Sequence, residues 1–322
     1  MKKKLQALVC WTFTGLACSF AAMAEPLKIV AAQRGNWETS IPELGRDAGI
    51  FKKHNVELEI LYSQGTGETL QLLVSGSADL GLSMGVLGAM GAYGRGAPIR
   101  IVAATSTGLQ EAFYYVRADS NIKTLKDATD RTIAFATNGS STQIAALSII
   151  NHYGVKAKPV ATGDSNATYT QVMSGQVDIG WSTAPFHLDA AQKGDIRIIA
   201  NATEAPRVRS QTSRVVIANL GHLEKKRDVI NRYLAAFRET IDWLYSDPNA
   251  LVKYQALSGI SPQAVDRMLR DFIPKDSLQT SEIRGLSEIT EDAVTFKFLT
   301  AKLTDQQLQE LIQIQPGAKP SR

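Results

Sequence analysis

The chain has 322 residues, 44% of them hydrophobic and 20% charged, and its formal net charge is +4. Residues 1–24 hold three of the 35 basic residues, so the formal charge of the remainder is about +1, and this near balance predicts no nucleic-acid partner. Roughly 298 residues of ordinary globular composition follow, without a second apolar run long enough to span a bilayer, and they predict two lobes rather than one core.

The first 24 residues have the pattern of a secretory signal. Three lysines, Lys2 to Lys4, precede an apolar run over residues 5–22, and an A-x-A cleavage site ends at Ala24. A membrane anchor is the alternative, but the run is short and is interrupted by threonines and a glycine. The pattern therefore predicts export and cleavage after Ala24, which leaves a periplasmic protein.

Both cysteines, Cys10 and Cys18, lie inside this segment. We therefore expect a mature chain with no disulfide, no thiolate metal site and no cysteine nucleophile. Residues 15–17 before Cys18 read Gly-Leu-Ala, which fits a lipoprotein signal poorly, so a soluble protein is favoured over a lipid-anchored one.

The first predicted strand covers residues 27–32 and ends at the polar stretch 33–37. A second strand, over residues 56–62, leads into the loop 63–69, Ser-Gln-Gly-Thr-Gly-Glu-Thr, and then into a helix. This loop lacks the lysine of a P-loop and the third glycine of a dinucleotide fingerprint. Its backbone N–H groups at a helix N-terminus favour a small anion instead.

A nine-residue motif occurs twice along the chain. Residues 75–83 read SGSADLGLS and residues 174–182 read SGQVDIGWS, and the similar strands IRIVA and IRIIA begin 24 and 22 residues after the respective Ser-Gly starts. The spacing predicts strand, helix and strand in both copies, with a ligand beyond the carboxyl ends of the strands. Ser83 and Ser182 stand at those ends.

Between the two copies, a predicted strand over residues 111–117 carries the chain toward the second lobe. A further strand, 132–136, ends at the loop 137–142, Thr-Asn-Gly-Ser-Ser-Thr, directly before an apolar helix. One hydroxyl would suffice as a helix cap. Five polar side chains and a glycine exceed that need and favour a ligand-facing loop.

After a predicted strand over residues 214–219, the pattern becomes helical. Tyr233, Phe237, Ile241 and Leu244 share one face at helical spacing, which predicts a core stripe. Two further helices are predicted after Asp-Pro and Ser-Pro pairs, each an N-cap followed by proline.

Four features together resemble the periplasmic substrate-binding proteins of ABC importers for nitrate, aliphatic sulfonates and taurine. They are the signal, the pattern G-x-F-K-K-x-x-V-E-L over residues 49–58, the repeated S-G-x-x-D motif and the N-G-S-S loop before a helix. The resemblance covers nearly the whole mature chain. It implies an α/β fold of two lobes, each a mostly parallel sheet flanked by helices, with the ligand in the cleft between them.

The resemblance also implies how the lobes are divided along the chain. Residues 1–24 are the signal peptide, 25–115 and 213–314 form the first lobe, 116–212 form the second, and 315–322 are expected to be a disordered tail. The chain then crosses between lobes twice, near residues 114–118 and 211–215. Two extended crossings predict a hinge and closure on the ligand.

In that family the ligand lies between the lobes, against loops that match stretches of this sequence. The predicted ligand-binding residues are Gln33, Arg34, Trp37, Ser63, Gly65, Thr66, Gly67, Ser83, Met84, Gly85, Asn138, Gly139, Ser140, Ser141, Thr142, Trp181, Ser182 and Thr183. We expect an anionic group at residues 140–142, an apolar part against Trp37 or Trp181, and additional charge from Arg34.

The resemblance implies a monomeric solute-binding protein without cofactor or metal, which delivers a small organic anion of the sulfonate, taurine or carboxylate type to an ABC permease in the inner membrane. The sequence departs from the sulfonate binders at residues 181–186, where those more often have Asp before Pro.

The pyrimidine-forming enzymes of thiamine synthesis share the fold, but they work with a cysteine cluster and a histidine. The mature chain lacks cysteine, and its histidines, His54, His152, His187 and His222, are scattered, so an enzyme is not expected. Two alternatives stay open. One is a binding protein for a thiamine pyrimidine precursor, or a related enzyme of the same fold, and the other is a ligand-binding component of a sensor.

Overall fold

The structure, a computed structural model, describes residues 26–278 and 280–315. The predicted signal peptide, its cleavage site at Ala24 and, apart from Gln315, the predicted tail lie outside the described residues. Within the described part, no helix is both long enough and apolar enough to cross a membrane.

The first lobe is built on a five-stranded sheet. Its strands are β1 (Leu27–Ala32), β2 (Leu58–Ser63), β3 (Leu80–Gly85), β4 (Ile99–Thr107) and β10 (Thr212–Asn219). Their order across the sheet is β2-β1-β3-β10-β4, and β10 runs antiparallel to both of its neighbours. The helices of the first half of this lobe are α1 (Trp37–Asp47), α2 (Ile50–Lys53), α3 (Thr66–Val74) and α4 (Val86–Gly94).

The second lobe repeats this arrangement. Its strands are β5 (Ala112–Arg117), β6 (Thr132–Phe135), β7 (Lys158–Ala161), β8 (Gly180–Thr183) and β9 (Ile196–Asn201), and its helices are α5 (Ser141–Tyr153), α6 (Ser165–Met173), α7 (Leu188–Lys193) and α8 (Pro206–Ser210). An isolated bridge between Ile133 and Ile179 joins the pair β6-β7 to the sheet β8-β5-β9. The resulting order, β7-β6-β8-β5-β9, corresponds to that of the first lobe.

These sheets confirm the predicted α/β fold class and refine its topology. In each lobe the predicted strand, helix and strand unit is present, but one antiparallel strand lies between its two strands: β10 separates β3 from β4, and β5 separates β8 from β9. Each inserted strand directly follows a crossing from the other lobe, so it enters the sheet from the opposite direction. The sequence repeat could not show this, because the inserted strand lies outside the repeated stretch.

The first crossing lies earlier than the sequence predicted. Strand β5 pairs with β8 from Ala112 onward, so the chain crosses at residues 108–111, not near residues 114–118. Tyr114 and Tyr115 are buried side chains of the second lobe. The second crossing ends where Thr212 pairs with Thr107, close to the predicted position.

The aspartate of the repeated motif has the same structural role in both lobes. Asp79 accepts a hydrogen bond of 2.8 Å from the backbone N–H of Lys28, at the start of β1. Asp178 accepts one of 2.8 Å from the N–H of Thr132, at the start of β6. Each carboxylate therefore joins the beginning of one parallel strand to the beginning of the next, at the edge of the sheet opposite the carboxyl ends.

After β10, the described residues form five α-helices that complete the first lobe. They are α9 (Leu220–Ser246), α10 (Pro248–Ser258), α11 (Pro262–Asp271), α12 (Leu286–Thr295) and α13 (Asp305–Leu311). The predicted stripe of Tyr233, Phe237, Ile241 and Leu244 is buried. Helices α10 and α11 begin with proline after the caps Asp247 and Ser261, as predicted.

Candidate ligand-binding cleft

A cavity of about 340 Å³ lies between the lobes, at the carboxyl ends of the parallel strands. In sheets of this type ligands bind at that edge, because the loops that follow the strands converge there. The cavity is lined by Ala32, Gln33, Arg34, Asn36, Thr39, Tyr62, Ser63, Gln64, Gly65, Thr66, Ser83, Ala136, Thr137, Ser140, Ser141, Thr142, Asp164, Asn166, Trp181, Thr183 and Arg214.

Four helices begin at this cavity, two from each lobe. Their N-cap residues are Asn36 for α1, Gly65 for α3, Ser140 for α5 and Asp164 for α6. The N-terminus of a helix has unpaired N–H groups and a partial positive charge. The cavity thus faces the partial positive charge of four helix ends, in addition to any cationic side chain.

Eleven of the eighteen predicted ligand-binding residues line the cavity: Gln33, Arg34, Ser63, Gly65, Thr66, Ser83, Ser140, Ser141, Thr142, Trp181 and Thr183. The seven that do not line it are Trp37, Gly67, Met84, Gly85, Asn138, Gly139 and Ser182. The predicted loops thus meet at one place, and within them the direction of each side chain decides which residues face the cavity.

Trp37 lies in the core of the first lobe and not in the cleft. Its side chain is 1% exposed, its Nε1–H donates to the Tyr245 hydroxyl at 3.1 Å, and it packs edge-on against Tyr245 and Tyr254. As the first residue of α1, it turns away from the cavity toward α9 and α10. Of the two tryptophans considered for the apolar part of a ligand, only Trp181 lines the cavity.

The two serines that end the repeated motif differ in direction. Ser83 has a left-handed backbone, with φ 58, and its side chain lines the cavity. Ser182 lies in regular strand between Trp181 and Thr183, so side-chain alternation turns it away. Its hydroxyl is 3.0 Å from Nδ1 of His187. The predicted equivalence of the two serines holds for their sequence position but not for their surroundings.

His187 is close to Trp181 in sequence but does not line the cavity. Its ring stacks on Tyr169 with the centroids 4.6 Å apart. Burial lowers the pKa of His187 to about 4, only partly opposed by the charge of Asp164. The imidazole is therefore neutral at neutral pH and gives the cleft no positive charge.

Arg214 is the most important lining residue that the sequence did not indicate. It lies on β10, directly after the second crossing, and no motif accompanies it. Its side chain is buried, with Nη1 2.8 Å from Glu38 and 2.5 Å from Glu111, and its Nε donates to Ser141 at 2.9 Å. Burial opposes the charged form, but the charges of Glu111 and Glu38 raise the pKa of Arg214 above its usual value.

Arg34 is also paired with a carboxylate. Its guanidinium contacts Glu43 through two nitrogens, at 2.5 and 3.1 Å, and the Tyr62 hydroxyl donates to the same carboxylate at 2.6 Å. The hydrogen bond between them raises the pKa of Arg34 and lowers that of Glu43. Burial and the Glu43 contact raise the pKa of Tyr62, so its phenol stays protonated.

Both arginines of the cavity wall thus face carboxylates, and Asp164 adds a further acidic group to the lining. An anion in this cavity has to be held mainly by helix N-termini and by neutral hydrogen-bond donors. The remaining lining residues that the sequence missed are Ala32, Asn36, Thr39, Tyr62, Gln64, Ala136, Thr137, Asp164 and Asn166. Most adjoin a predicted loop, and Asp164 and Asn166 lie at the α6 turn, which corresponds to the α3 turn of the first lobe.

Three buried polar atoms of the lining have no hydrogen-bond partner within the described part of the chain. They are Oγ of Ser83, Oγ1 of Thr137 and Nε1 of Trp181. An unpaired buried polar group costs about 1–3 kcal/mol. Each of the three can donate a proton, so together they indicate a ligand that presents hydrogen-bond acceptors.

Two hydroxyls are oriented toward the same role by their partners. Ser141 Oγ accepts from the Arg214 guanidinium, and Thr183 Oγ1 accepts from the side-chain amide of Asn36 at 3.0 Å. Since neither partner atom can accept in return, the proton of each hydroxyl is free to point into the cavity.

The lobes touch each other around the cavity. Gln33 Nε2 donates to Ser165 Oγ at 2.7 Å, across the cleft. On the other side, the backbone of Gly139 lies so close to β3 and α4 that a Cβ atom on Gly85 or Gly88 would approach within 3.0 Å of it. The structure therefore shows a closed arrangement of the lobes.

Within residues 26–278 and 280–315, no group of three or more His, Cys, Asp or Glu side chains is placed to hold a metal ion. A ring nitrogen of His54 and one of His222 instead lie 2.7 Å from carboxylate oxygens of Glu239 and Asp79, respectively.

Comparison with known structures supports the fold described above. The alkanesulfonate-binding protein SsuA of Xanthomonas axonopodis pv. citri, bound to MOPS, is 18% identical, with a TM-score of 0.71 over 84% of this chain and 90% of that one. The aliphatic sulphonate binding protein SsuA of Escherichia coli is 20% identical, with a TM-score of 0.71 over 92% and 94%. The nitrate-binding protein NrtA of Synechocystis PCC 6803 is 13% identical, with a TM-score of 0.70 over 89% and 86%.

The names of these neighbours describe binding proteins for sulfonates and nitrate. No curated protein sequence matches the chain significantly. The sequence model described as "NMT1/THI5 like" matches residues 44–251, which is more than half of the chain. The chain belongs to the NMT1/THI5-like family and has the two-lobed fold of the periplasmic binding proteins.

Proposed function

We propose that the protein is the periplasmic solute-binding component of an ABC importer and that it captures a small organic anion by closing its lobes. One observation carries this proposal: a cavity between the lobes is lined by buried donors at Ser83, Thr137 and Trp181. These donors have no hydrogen-bond partner within the described residues. A ligand that presents acceptors to them would stabilise the closed form.

The size of the cavity favours an organic ligand over nitrate. A volume of about 340 Å³ falls at the lower end of the range of roughly 300–1,000 Å³ found for pockets that hold small organic molecules. Trp181 and Tyr62 supply aromatic surface beside the polar loops. A carboxylate or sulfonate at the N-terminus of α5, with an apolar remainder against Trp181, uses both kinds of surface.

The named ligands of the neighbours support the same class. Two of them are binding proteins for alkyl sulfonates, and one of these was solved with MOPS, itself a sulfonate. Delivery to an inner-membrane permease, and action as a monomer, are part of the proposal. Loss of uptake after deletion of the gene, with growth on other nutrients unchanged, supports transport, whereas unchanged uptake favours a sensor role.

A second candidate follows from the charges around the cavity. Arg34 and Arg214 are neutralised by Glu43, Glu38 and Glu111. A neutral or protonated heteroaromatic ligand, such as a pyrimidine precursor of thiamine, would stack on Trp181 and place its ring acceptors at the same donors. The family description makes this the most specific alternative.

Thermal-shift measurements on the purified protein separate these candidates. The panel contains nitrate, taurine, ethanesulfonate, MOPS, benzoate and a thiamine pyrimidine precursor, with sodium chloride of equal ionic strength as the control. A ligand at 100 times its dissociation constant stabilises the folded protein by about 2.7 kcal/mol. We expect stabilisation by an organic sulfonate or carboxylate. Stabilisation by the pyrimidine alone would replace the first candidate with the second.

A further inference from the structure

Arg214 occupies the point at which the two crossings, the first lobe and the cavity meet. We propose that it is a positioning residue that couples the cavity to the hinge: it orients the Ser141 hydroxyl for the ligand and stabilises the closed arrangement of the lobes. This inference rests on the proposed function, since it assigns a regulatory role within the same cleft.

The contacts of Arg214 connect four separate parts of the chain. Its own strand, β10, directly follows the second crossing, and Glu111 belongs to the first crossing, between β4 and β5. Glu38 lies in the first turn of α1, and Ser141 begins α5 in the second lobe. The guanidinium therefore joins the strand that follows the second crossing to Glu111 of the first crossing, and it also reaches the opposite lobe.

The chemistry of the guanidinium fixes the direction of each contact. It is always protonated and can only donate, so Ser141 must accept from Nε, and its own proton remains for the cavity. The bidentate geometry that a planar guanidinium offers is not available to an ammonium group. Arg214→Lys should thus keep the charge beside Glu38 and Glu111 while losing the bond to Ser141.

A different result is expected if Arg214 serves only in ion pairs within the first lobe. Arg214 with Glu38 and Glu111 would stabilise the first lobe and its crossing whether or not the lobes are closed. The bond from Nε to Ser141 is distinct, because it joins residues of opposite lobes and exists only when they touch. A charge-assisted hydrogen bond contributes enough free energy to change the ratio of closed to open forms about ten-fold.

The test measures the separation of the lobes without any ligand. Val74 and Met173 occupy equivalent positions of the repeat, one in each lobe, and are 46% and 36% exposed. Nitroxide labels on Val74→Cys and Met173→Cys, in the full chain with Cys10→Ser and Cys18→Ser, report the interlobe distance distribution by double electron–electron resonance. The parent is compared with Ser141→Ala, Arg214→Lys and the double variant. Ser148→Ala, a buried serine of the same helix, is the control.

We expect Ser141→Ala to shift the distribution to longer distances and to reduce the closed component several-fold, with Ser148→Ala unchanged. The double variant should shift no further than Arg214→Lys alone, because both substitutions remove the same bond. An unchanged distance distribution in Ser141→Ala overturns the inference. Because Ser141→Ala keeps every ion pair of Arg214, this result is decisive even if Arg214→Lys fails to fold. The distance measurement needs no ligand. A thermal-shift panel in which no anion stabilises the protein would therefore contradict the proposed function without contradicting this inference.

Discussion

At the scale of single residues, the two tryptophans of the predicted site are both buried but differ in whether the indole N–H has a hydrogen-bond partner. This difference distinguishes a core residue from a candidate ligand-binding residue. Trp37 and Trp181 are both nearly buried, at 1% and 5% exposure. The indole N–H of Trp37 has a partner in Tyr245, whereas that of Trp181 has none within the described residues and faces the cavity. The unpaired group is costly in the empty protein and becomes useful only when a ligand accepts its proton.

A matched pair of substitutions follows from this difference. Trp181→Phe should weaken binding of the ligand identified by the thermal-shift panel several-fold, by removing a hydrogen bond worth about 1 kcal/mol or more, with little change in the free energy of unfolding. Trp37→Phe should lower the free energy of unfolding by about 1–3 kcal/mol, through its lost hydrogen bond and packing, and leave affinity unchanged. Calorimetric titration and urea unfolding measure the two quantities. The reverse pattern would mean that Trp37, and not Trp181, supports the ligand.

The sequence predicted the loops that line the cavity, and Arg34 among them, but not the buried Arg214. The loops were predictable because polar, glycine-containing stretches followed strands at regular spacing, as at Ser63 and Ser140. Arg214 follows no such stretch, and only the fold brings it to Ser141, 73 residues away in sequence. Trp37 was misassigned because its loop approaches the cavity while its side chain turns into the core.

At the scale of secondary-structure elements, the internal repeat describes most of each lobe. Both copies begin at a helix C-terminus with a glycine of positive φ, Gly76 and Gly175, and both continue through an aspartate that joins neighbouring strands. The repeat could not predict β5 and β10, because their positions depend on pairing between strands that are distant in sequence. For the same reason the first crossing was predicted several residues too late.

Helix α4 provides a test of closure at this scale. Gly88 lies in the first turn of α4 without a positive φ, so alanine there should favour the helix by up to about 1 kcal/mol. A Cβ atom on residue 88 would, however, collide with the backbone of Gly139 in the opposite lobe. We expect Gly88→Ala to keep the melting temperature of the ligand-free protein while lowering affinity ten-fold or more.

The control is Gly221→Ala in α9, where a Cβ atom would meet only the side chain of Asn219 at 3.5 Å. It should change neither affinity nor interlobe distance. If Gly88→Ala binds the ligand as tightly as the parent does, the contact between α4 and the Gly139 loop is not part of the bound form.

At the scale of the whole molecule, the proposed capture of a ligand requires that the lobes move. Ser83, Thr137 and Trp181 have buried polar atoms between two lobes that touch on both sides of the cavity. In the proposed capture the lobes separate to admit the ligand and close on it, with the two short crossings at residues 108–111 and near Gln211 as the hinge. A ligand that binds the closed form more tightly shifts the population toward it. Under the proposed function, this shift is what lets a permease distinguish the loaded protein from the empty one.

Small-angle X-ray scattering tests directly whether the lobes close when a ligand binds. Scattering is recorded from the same protein without ligand and with a saturating concentration of the ligand found in the thermal-shift panel. We predict that the radius of gyration falls on binding and that the scattering of the bound protein matches the profile calculated from this closed structure. A radius of gyration that does not change at saturation would show a rigid pocket and contradict capture by closure of the lobes.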